Sequence, residues 1–268
     1  MTPLTLARRA LGRVGGAPGS YPDFIVIGAQ RCGTTSLYWW LCKHPDVAPA
    51  TTKELHFFDL GYQRSMRWYR QQFPSTRSRR RHLESTGHVL VAGEASPYYL
   101  FHPDAAARVA RGVQGARLIV LLRDPVDRAF SHYHHQVRLG QEPLSFEAAL
   151  AAEPARLASG DPVATRHHSY HARGVYLDQL DRWSALFAPE QILVIISEEL
   201  FAAPHRELER VQAFLRLSRR SEEPFAAKNT LTYDDMAPSI CSRLAERYAS
   251  DNHRLARWLG RPLPWIGA

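Results

Sequence analysis

Four short runs along the chain are near-continuously apolar: FIVIGA at 24–29, HVLVAGE at 88–94, ARLIVLLRD at 116–124 and QILVIISEE at 191–199. A strand with one wet face alternates apolar and polar residues, whereas a strand covered on both faces does not. The runs therefore predict strands of a buried parallel sheet, with the helical patterns between them as its cover. Residues 34–43 predict a helix directly after the first run. Asp124 and Pro125 read as an N-cap and first-turn pair that opens a helix through about Arg138. Near the end, Ile240, Leu244, Tyr248, Leu255 and Leu259 keep a helical spacing, which RPLPW stops. TRSRRRH at 76–82 and the region 139–169 lack any clear period and are expected to be surface insertions. The fold class expected is α/β: an N-terminal tail at 1–21, then a single domain at 22–266 with a central parallel β-sheet flanked by helices.

Chemistry enters at the first strand-to-helix turn, Gly28-Ala-Gln-Arg-Cys-Gly33-Thr34-Thr35-Ser36-Leu37. Glycines let a backbone fold tightly around an anion, and the N–H groups and dipole at a helix start favour a phosphate-like group. Thr34 and Thr35 add hydroxyl donors. The turn is P-loop-like, since Gly28 and Gly33 keep the spacing of GxxxxGK[ST], but Thr34 stands where that motif has its lysine. That substitution counts against a nucleoside-triphosphatase or kinase. The cation is Arg31, inside the loop.

Further along come HPDV (44–47), KELHFFD (53–59), GEASPYYL (93–100) and LLRDPVDRAFSHY (121–133), and more loosely RGVYLDQLDRW (173–183). In this order the motifs resemble those of sulfotransferases that use 3′-phosphoadenosine-5′-phosphosulfate (PAPS), with the likeness strongest to the branch of heparan-sulfate sulfotransferases and their bacterial relatives. The resemblance covers about residues 22–266. It implies sulfuryl transfer from PAPS to an acceptor hydroxyl by in-line displacement, with no metal required. The cofactor-binding residues it implies are Arg31, Cys32, Gly33, Thr34, Thr35 and Ser36 at the 5′ end of the donor and Arg123 with Ser131 at the 3′-phosphate. Lys228 is a looser match to the basic loop that closes over the nucleotide. Geometry agrees for the second pair: seven residues separate Asp124 from Ser131, close to two helical turns, so Ser131 lies on the face that starts at the cap. An Arg and a Ser converging there suit a phosphate monoester.

Sulfuryl transfer needs a base for the acceptor proton and cations for the leaving oxygens. The resemblance carries the base to Glu54, keeps His56 as runner-up or helper, and makes Arg31 catalytic through its charge. If residues 53–56 are extended, Glu54 and His56 project to the same side. Two features depart from the family. Arg31 replaces the usual Lys, so it can stabilise charge but not donate a proton. Ala95 follows Glu94 where glycan-modifying members tend to carry Lys, which weakens the case for a polyanionic acceptor. A small molecule, natural product or glycoconjugate is expected.

Composition narrows the setting. The 268 residues carry 34 Lys plus Arg against 26 Asp plus Glu, a formal charge of +8, so an anionic partner fits. The run Arg77–Arg81 keeps a basic nucleic-acid-binding protein as an alternative, but no recognised module or interleaved aromatic accompanies it, so no nucleic-acid partner is expected. Three cysteines form no disulfide framework, no apolar run approaches the roughly 20 residues that span a bilayer, and no secretory pattern opens the chain. A cytoplasmic, bacterial enzyme is the expectation. His132-Tyr-His134-His135 and His167-His168-Ser-Tyr-His171 lack acidic partners, so no metal site is expected.

Overall fold

The computed structural model describes residues 19–219 and 235–267. In chain order the main elements are β1 (Phe24–Gly28), α1 (Thr34–Leu41), β2 (Val47–Pro49), α2 (Met66–Arg70), α3 (Thr76–Thr86), β3 (Val91–Ala95), α4 (Ala105–Gly112) and β4 (Arg117–Leu122). They continue with α5 (Pro125–Arg138), α6 (Phe146–Ala158), α7 (Pro162–His167), α8 (Tyr176–Ser184), β5 (Ile192–Ile196), α9 (Ser197–Ala202), α10 (Pro204–Phe214) and α11 (Pro238–Leu259). The strands form one sheet in the order β2-β3-β1-β4-β5, with β1 parallel to β3 and β4 and β2 parallel to β3. This is the expected α/β architecture with a central parallel sheet flanked by helices.

Contacts gather the chain into two compact units. Among the described residues the first holds 19–29, Gly33–Leu121 and 182–219, and so nearly the whole sheet. All residues of β1, β2 and β3 are buried, which explains why their sequences do not alternate. The edge strand β2 is only three residues long, too short to leave a periodic signature in the sequence. Gly93 of β3 pairs with Phe24 of β1, and a Cβ at Gly93 would lie 2.5 Å from the Phe24 ring. Only glycine leaves room for that ring between the strands. Among the described residues no helix is long and apolar enough to cross a membrane.

The stretch TRSRRRH lies at the surface as expected but is helical, a regularity that its sequence did not reveal. The Ser75 hydroxyl caps α3 by accepting from Ser78 N, and Gly87 ends it in the left-handed region. No residue of α3 is buried, so no apolar period exists to be read. The helix is tied down through polar groups instead: Arg79 donates to the Asp23 carboxylate at 2.7 Å and to the Tyr21 carbonyl at 2.8 Å.

The second unit comprises, among the described residues, Gln30–Cys32, Leu122–Asp181 and 235–267. Asp124 caps α5 by accepting from Val126 N at 2.8 Å, with Pro125 in its first turn, as the sequence implies. Val126, Ala129, Phe146, Ala149, Leu150, Tyr170, Leu244 and Tyr248 form its apolar core. Leu244, Tyr248 and Leu255 are buried on α11, so the helical spacing seen near the C-terminus is a core face. The region 139–169 also departs from expectation, since it contains α6 and α7, opened by the caps Ser145 and Asp161. Its alanines make helices with few large apolar residues, which hid them.

We predict that Gly93→Ala destabilises the protein by about 1–3 kcal/mol through overpacking, lowering the melting temperature by several degrees. Gly115→Ala, where a Cβ meets nothing within 4 Å, leaves the melt unchanged. Equal melts for the two variants would contradict this account of the β1/β3 contact.

Candidate active site

The turn after β1 is shaped by one residue that must be glycine. Gly33 sits at the N-cap of α1 with φ 83° and ψ 10°, and a Cβ there would stand 3.0 Å from the Phe201 ring. The N-cap glycine has no side chain to cap the first turn of α1, and a helix start of that kind, with its dipole, favours an anion. Thr34 and Ser36 are buried in that turn, Thr35 is half-buried, and Cys32 is fully buried.

Inside the turn, Arg31 also takes a left-handed backbone, φ 70°. Its Nε donates to Ser131 Oγ on α5 at 3.0 Å. The side-chain amide oxygen of Gln30 accepts from Arg173 Nη1. Tyr176 ties the turn to the end of β4, because its hydroxyl donates to the Arg123 carbonyl at 2.8 Å and lies 3.7 Å from Cys32 Sγ. All these groups belong to the second unit. The local potential is positive: burial, then the charges of Arg173, Arg128, His135 and Arg31, hold His132 well below the usual histidine range. A basic, hydroxyl-bearing cradle of this kind fits an anion.

Arg123 and Ser131, expected to converge on a phosphate, each have a protein partner in this structure. The Arg123 guanidinium donates to Asp127 Oδ2 at 3.0 Å, one turn into α5, while Ser131 receives Arg31. Asp127 stands at i+4 from Arg123, a spacing that could have flagged the ion pair. Lys228 lies outside the described residues. Gln30, Arg173 and Tyr176 were missed, although the motif RGVYLDQLDRW contains two of them.

The segment 53–59 in the first unit carries the acidic chemistry. It is not extended as expected: Glu54 and His56 both adopt left-handed backbone, φ 61° and 50°. The two side chains nevertheless meet, with Glu54 Oε2 3.4 Å from His56 Nε2. Glu54 Oε1 accepts from Lys53 Nζ. On its other side the His56 ring reaches the wholly buried Asp59 carboxylate, Nδ1 to Oδ2 at 2.7 Å, and Asp59 Oδ1 accepts from Leu60 N. Asp59 was not singled out from sequence; an acid three residues after His56 was the available signal.

Charge alternates along this chain of four groups, and the protonation states follow. Burial pushes Glu54 up, but its hydrogen bond with His56 and the charge of Lys53 outweigh that and bring it to about 2. Burial pushes His56 down, but its bonds to Asp59 and Glu54 raise it to about 9. At neutral pH Glu54 is therefore a carboxylate and His56 an imidazolium that donates to two acids. Among the described residues no group of three or more His, Cys, Asp or Glu side chains is placed to hold a metal ion. In the His-rich segments, His132 Nε2 pairs with Gln136 and His171 stacks on Tyr248, with ring centroids 4.5 Å apart.

Comparison with known proteins places these features in a family. Residues 21–257 match the sulfotransferase domain. The chain is 35% identical over 198 residues, 74% of its length, to the mouse heparan sulfate glucosamine 3-O-sulfotransferase 3A1, and covers 46% of that protein. It is 27% identical over 319 residues, 91% of its length, to the membrane-associated sulfotransferase kil1 of Dictyostelium discoideum, and covers 66% of it. It thus spans less than two thirds of these curated relatives. Among solved structures, a sulfotransferase from Alicyclobacillus acidocaldarius superposes with a TM-score of 0.72 at 32% identity, covering 91% of this chain and 98% of that one. With a domain match running nearly end to end and a solved relative of almost equal extent, the chain belongs to the sulfotransferase family of transferases.

Proposed function

We propose that the protein moves a sulfuryl group from PAPS to an acceptor hydroxyl, with residues 22–266 as the catalytic domain. The observation that carries this reading is the contact between Arg31 Nε and Ser131 Oγ at 3.0 Å, which sets the loop cation on a helix hydroxyl in a positively charged surrounding. A nucleoside-triphosphatase needs a lysine where Thr34 stands.

In this reading the N–H groups opening α1, with the hydroxyls of Thr34, Thr35 and Ser36, hold the 5′-phosphosulfate. Ser131 and Arg123 hold the 3′-phosphate, with Arg123 exchanging Asp127 for a dianion that offers it more charge. Glu54 accepts the proton of the acceptor hydroxyl as its oxygen bonds to sulfur. The S–O bond to the 5′-phosphate breaks, and its electron pair leaves on 3′-phosphoadenosine-5′-phosphate. Arg31 neutralises that leaving oxygen by charge alone, since a guanidinium keeps its protons. A carboxylate near 2 is a weak base, but in a loose transition state the nucleophile's proton becomes strongly acidic only as the new bond forms, and a weak base then suffices. His56 and Lys53 keep Glu54 ionised and aimed. The acceptor is a small molecule, natural product or glycoconjugate, and Ala95 beside Glu94 favours one without dense negative charge.

Thermal unfolding tests the donor. 3′-Phosphoadenosine-5′-phosphate at about 100 times its dissociation constant stabilises the protein by roughly 2.7 kcal/mol, whereas ATP with magnesium and short DNA do not. Stabilisation by ATP instead would overturn the reading.

Glu54→Gln is predicted to lower kcat by about 10²–10⁴-fold while leaving 3′-phosphoadenosine-5′-phosphate binding by calorimetry unchanged. Retained turnover would remove Glu54 as the base. Arg123→Ala weakens that binding about 10-fold or more through loss of a charge-assisted contact, and Asp127→Ala, which removes its competitor, tightens it.

The pH dependence has a definite sign. His56 is raised, so the contribution of its charge is present at neutral pH and lost as pH rises through about 9. The kcat/KM profile therefore falls on the alkaline side near that value. Asp59→Asn removes a group that raises His56, so the limb moves to lower pH. A limb that stays in place would dissociate it from His56.

A further inference from the structure

A loop that keeps two non-glycine residues in left-handed backbone persists only when its surroundings over-determine it. Around Glu54 and His56 those surroundings are the end of β3 and the residues just after it. Four amides of the segment are held there: Glu54 N by the Ala95 carbonyl at 3.0 Å, His56 N by Ser96 Oγ at 3.3 Å, and Phe57 N and Phe58 N by the Tyr99 hydroxyl at 2.8 and 3.3 Å.

Two of these acceptors are hydroxyls, and a hydroxyl offers its lone pairs to an amide only if its single proton points elsewhere. Both protons go to one group. Ser96 donates to Glu94 Oε2 at 2.7 Å and Tyr99 donates to Glu94 Oε1 at 3.3 Å, while Tyr69 of α2 donates to Oε1 at 2.7 Å. Glu94 is fully buried.

We propose that Glu94 is a positioning residue for the reaction: a carboxylate that only accepts, it draws the Ser96 and Tyr99 protons inward and thereby turns their lone pairs onto the amides of residues 56–58. The turn that sets His56 and Asp59 against Glu54 is held in that way. A glutamine of the same shape would present an N–H₂ to one hydroxyl in place of an acceptor, leaving that hydroxyl's proton without its carboxylate partner and free to turn toward the amide it serves. This is why a buried charge, costly in itself, stands where an amide would fit. Burial, opposed in part by the hydroxyls of Tyr69 and Ser96, pushes Glu94 up to about 7, and a protonated carboxyl would disrupt the relay as glutamine does. The titratable groups facing it are Tyr38 of α1, Asp59, Tyr69 and Tyr99, and burial keeps the three tyrosines neutral.

The inference rests on Glu54 being the base, so its test includes a readout that needs no turnover. At pH 8 we compare wild type, Glu94→Gln, Ser96→Ala/Tyr99→Phe and the triple variant by steady-state kinetics, by calorimetry with 3′-phosphoadenosine-5′-phosphate, and by amide hydrogen exchange. Glu94→Gln is expected to lower kcat by about tenfold or more with nucleotide affinity within about twofold. Exchange at residues 56–58 is expected to speed by about tenfold while β1 is unaffected. In the Ser96→Ala/Tyr99→Phe background the same change lowers kcat by less than about twofold, because the relay is already absent. Equal losses in both backgrounds, or unaltered exchange at 56–58 in Glu94→Gln, would overturn the proposal. Should Glu94→Gln not fold, Ser96→Ala alone decides: faster exchange confined to His56 supports the relay and unchanged exchange refutes it. If wild type fails to transfer from PAPS, the functional reading falls while the exchange data still judge the relay.

Discussion

A single wholly buried carboxylate, Asp59, decides how the histidine beside it is used. With one oxygen on His56 Nδ1 and the other on Leu60 N, it fixes both the ring and the turn that delivers the ring. The opposite nitrogen is thereby committed to Glu54, and the imidazole is protonated between two acids. An unpaired histidine at this depth would lose its proton, as His171 does where burial and the charges of Arg247 and Arg128 bring it down to about 4. The contrast isolates the cause: two half-buried imidazoles in one chain take opposite charge states because the His56 ring is bonded to carboxylates, whereas the carboxylate beside His171, Glu153, bonds its backbone N–H. The His56 bond, together with Lys53, in turn brings Glu54 down to about 2 against its burial.

The second unit applies the same logic with opposite sign. Arg128 and Arg173 are buried, and Arg31 sits nearby on Ser131. On the proposed reading, this concentration of guanidinium groups, only partly offset by the buried Glu153, favours an arriving anion more directly than does the overall +8. The arginines of α3, which suggested nucleic acid, are in part consumed in holding that helix, as the half-buried Arg79 shows with Asp23 and two carbonyls.

What could be read from the sequence divides along physical lines. The three-residue β2 left no run to read, whereas β1, β3 and β4 were legible because they are almost wholly buried and so near-continuously apolar, and the cap at Asp124 because its chemistry is local. α3 and α6 were not, since one buries nothing and the other is built largely from alanine. Glu54, His56, Arg31 and Ser131 were identified as residue types in motifs, yet their contacts were only half visible. The motifs do not spell out that Arg123 bonds to Asp127 or that Arg31 bonds to Ser131. The left-handed backbone at Glu54 and His56 could not be inferred from either side chain, because it is imposed by acceptors at Ala95, Ser96 and Tyr99, some forty residues away.

On the proposed reading, the replacement of a loop lysine by Arg31 shifts where catalytic assistance comes from. A lysine near a departing phosphate can share its proton with the leaving oxygen, which an arginine cannot do at any accessible pH. The bisphosphate must then leave fully charged, and the barrier is lowered only by groups already oriented to receive that charge: the guanidinium, its hydrogen bond to Ser131 and the N–H groups at the start of α1. Preorganisation carries the load that proton transfer would share elsewhere. The left-handed turn at Arg31 and the glycine at position 33 are consistent with that demand, since both place a donor by backbone geometry rather than by side-chain freedom.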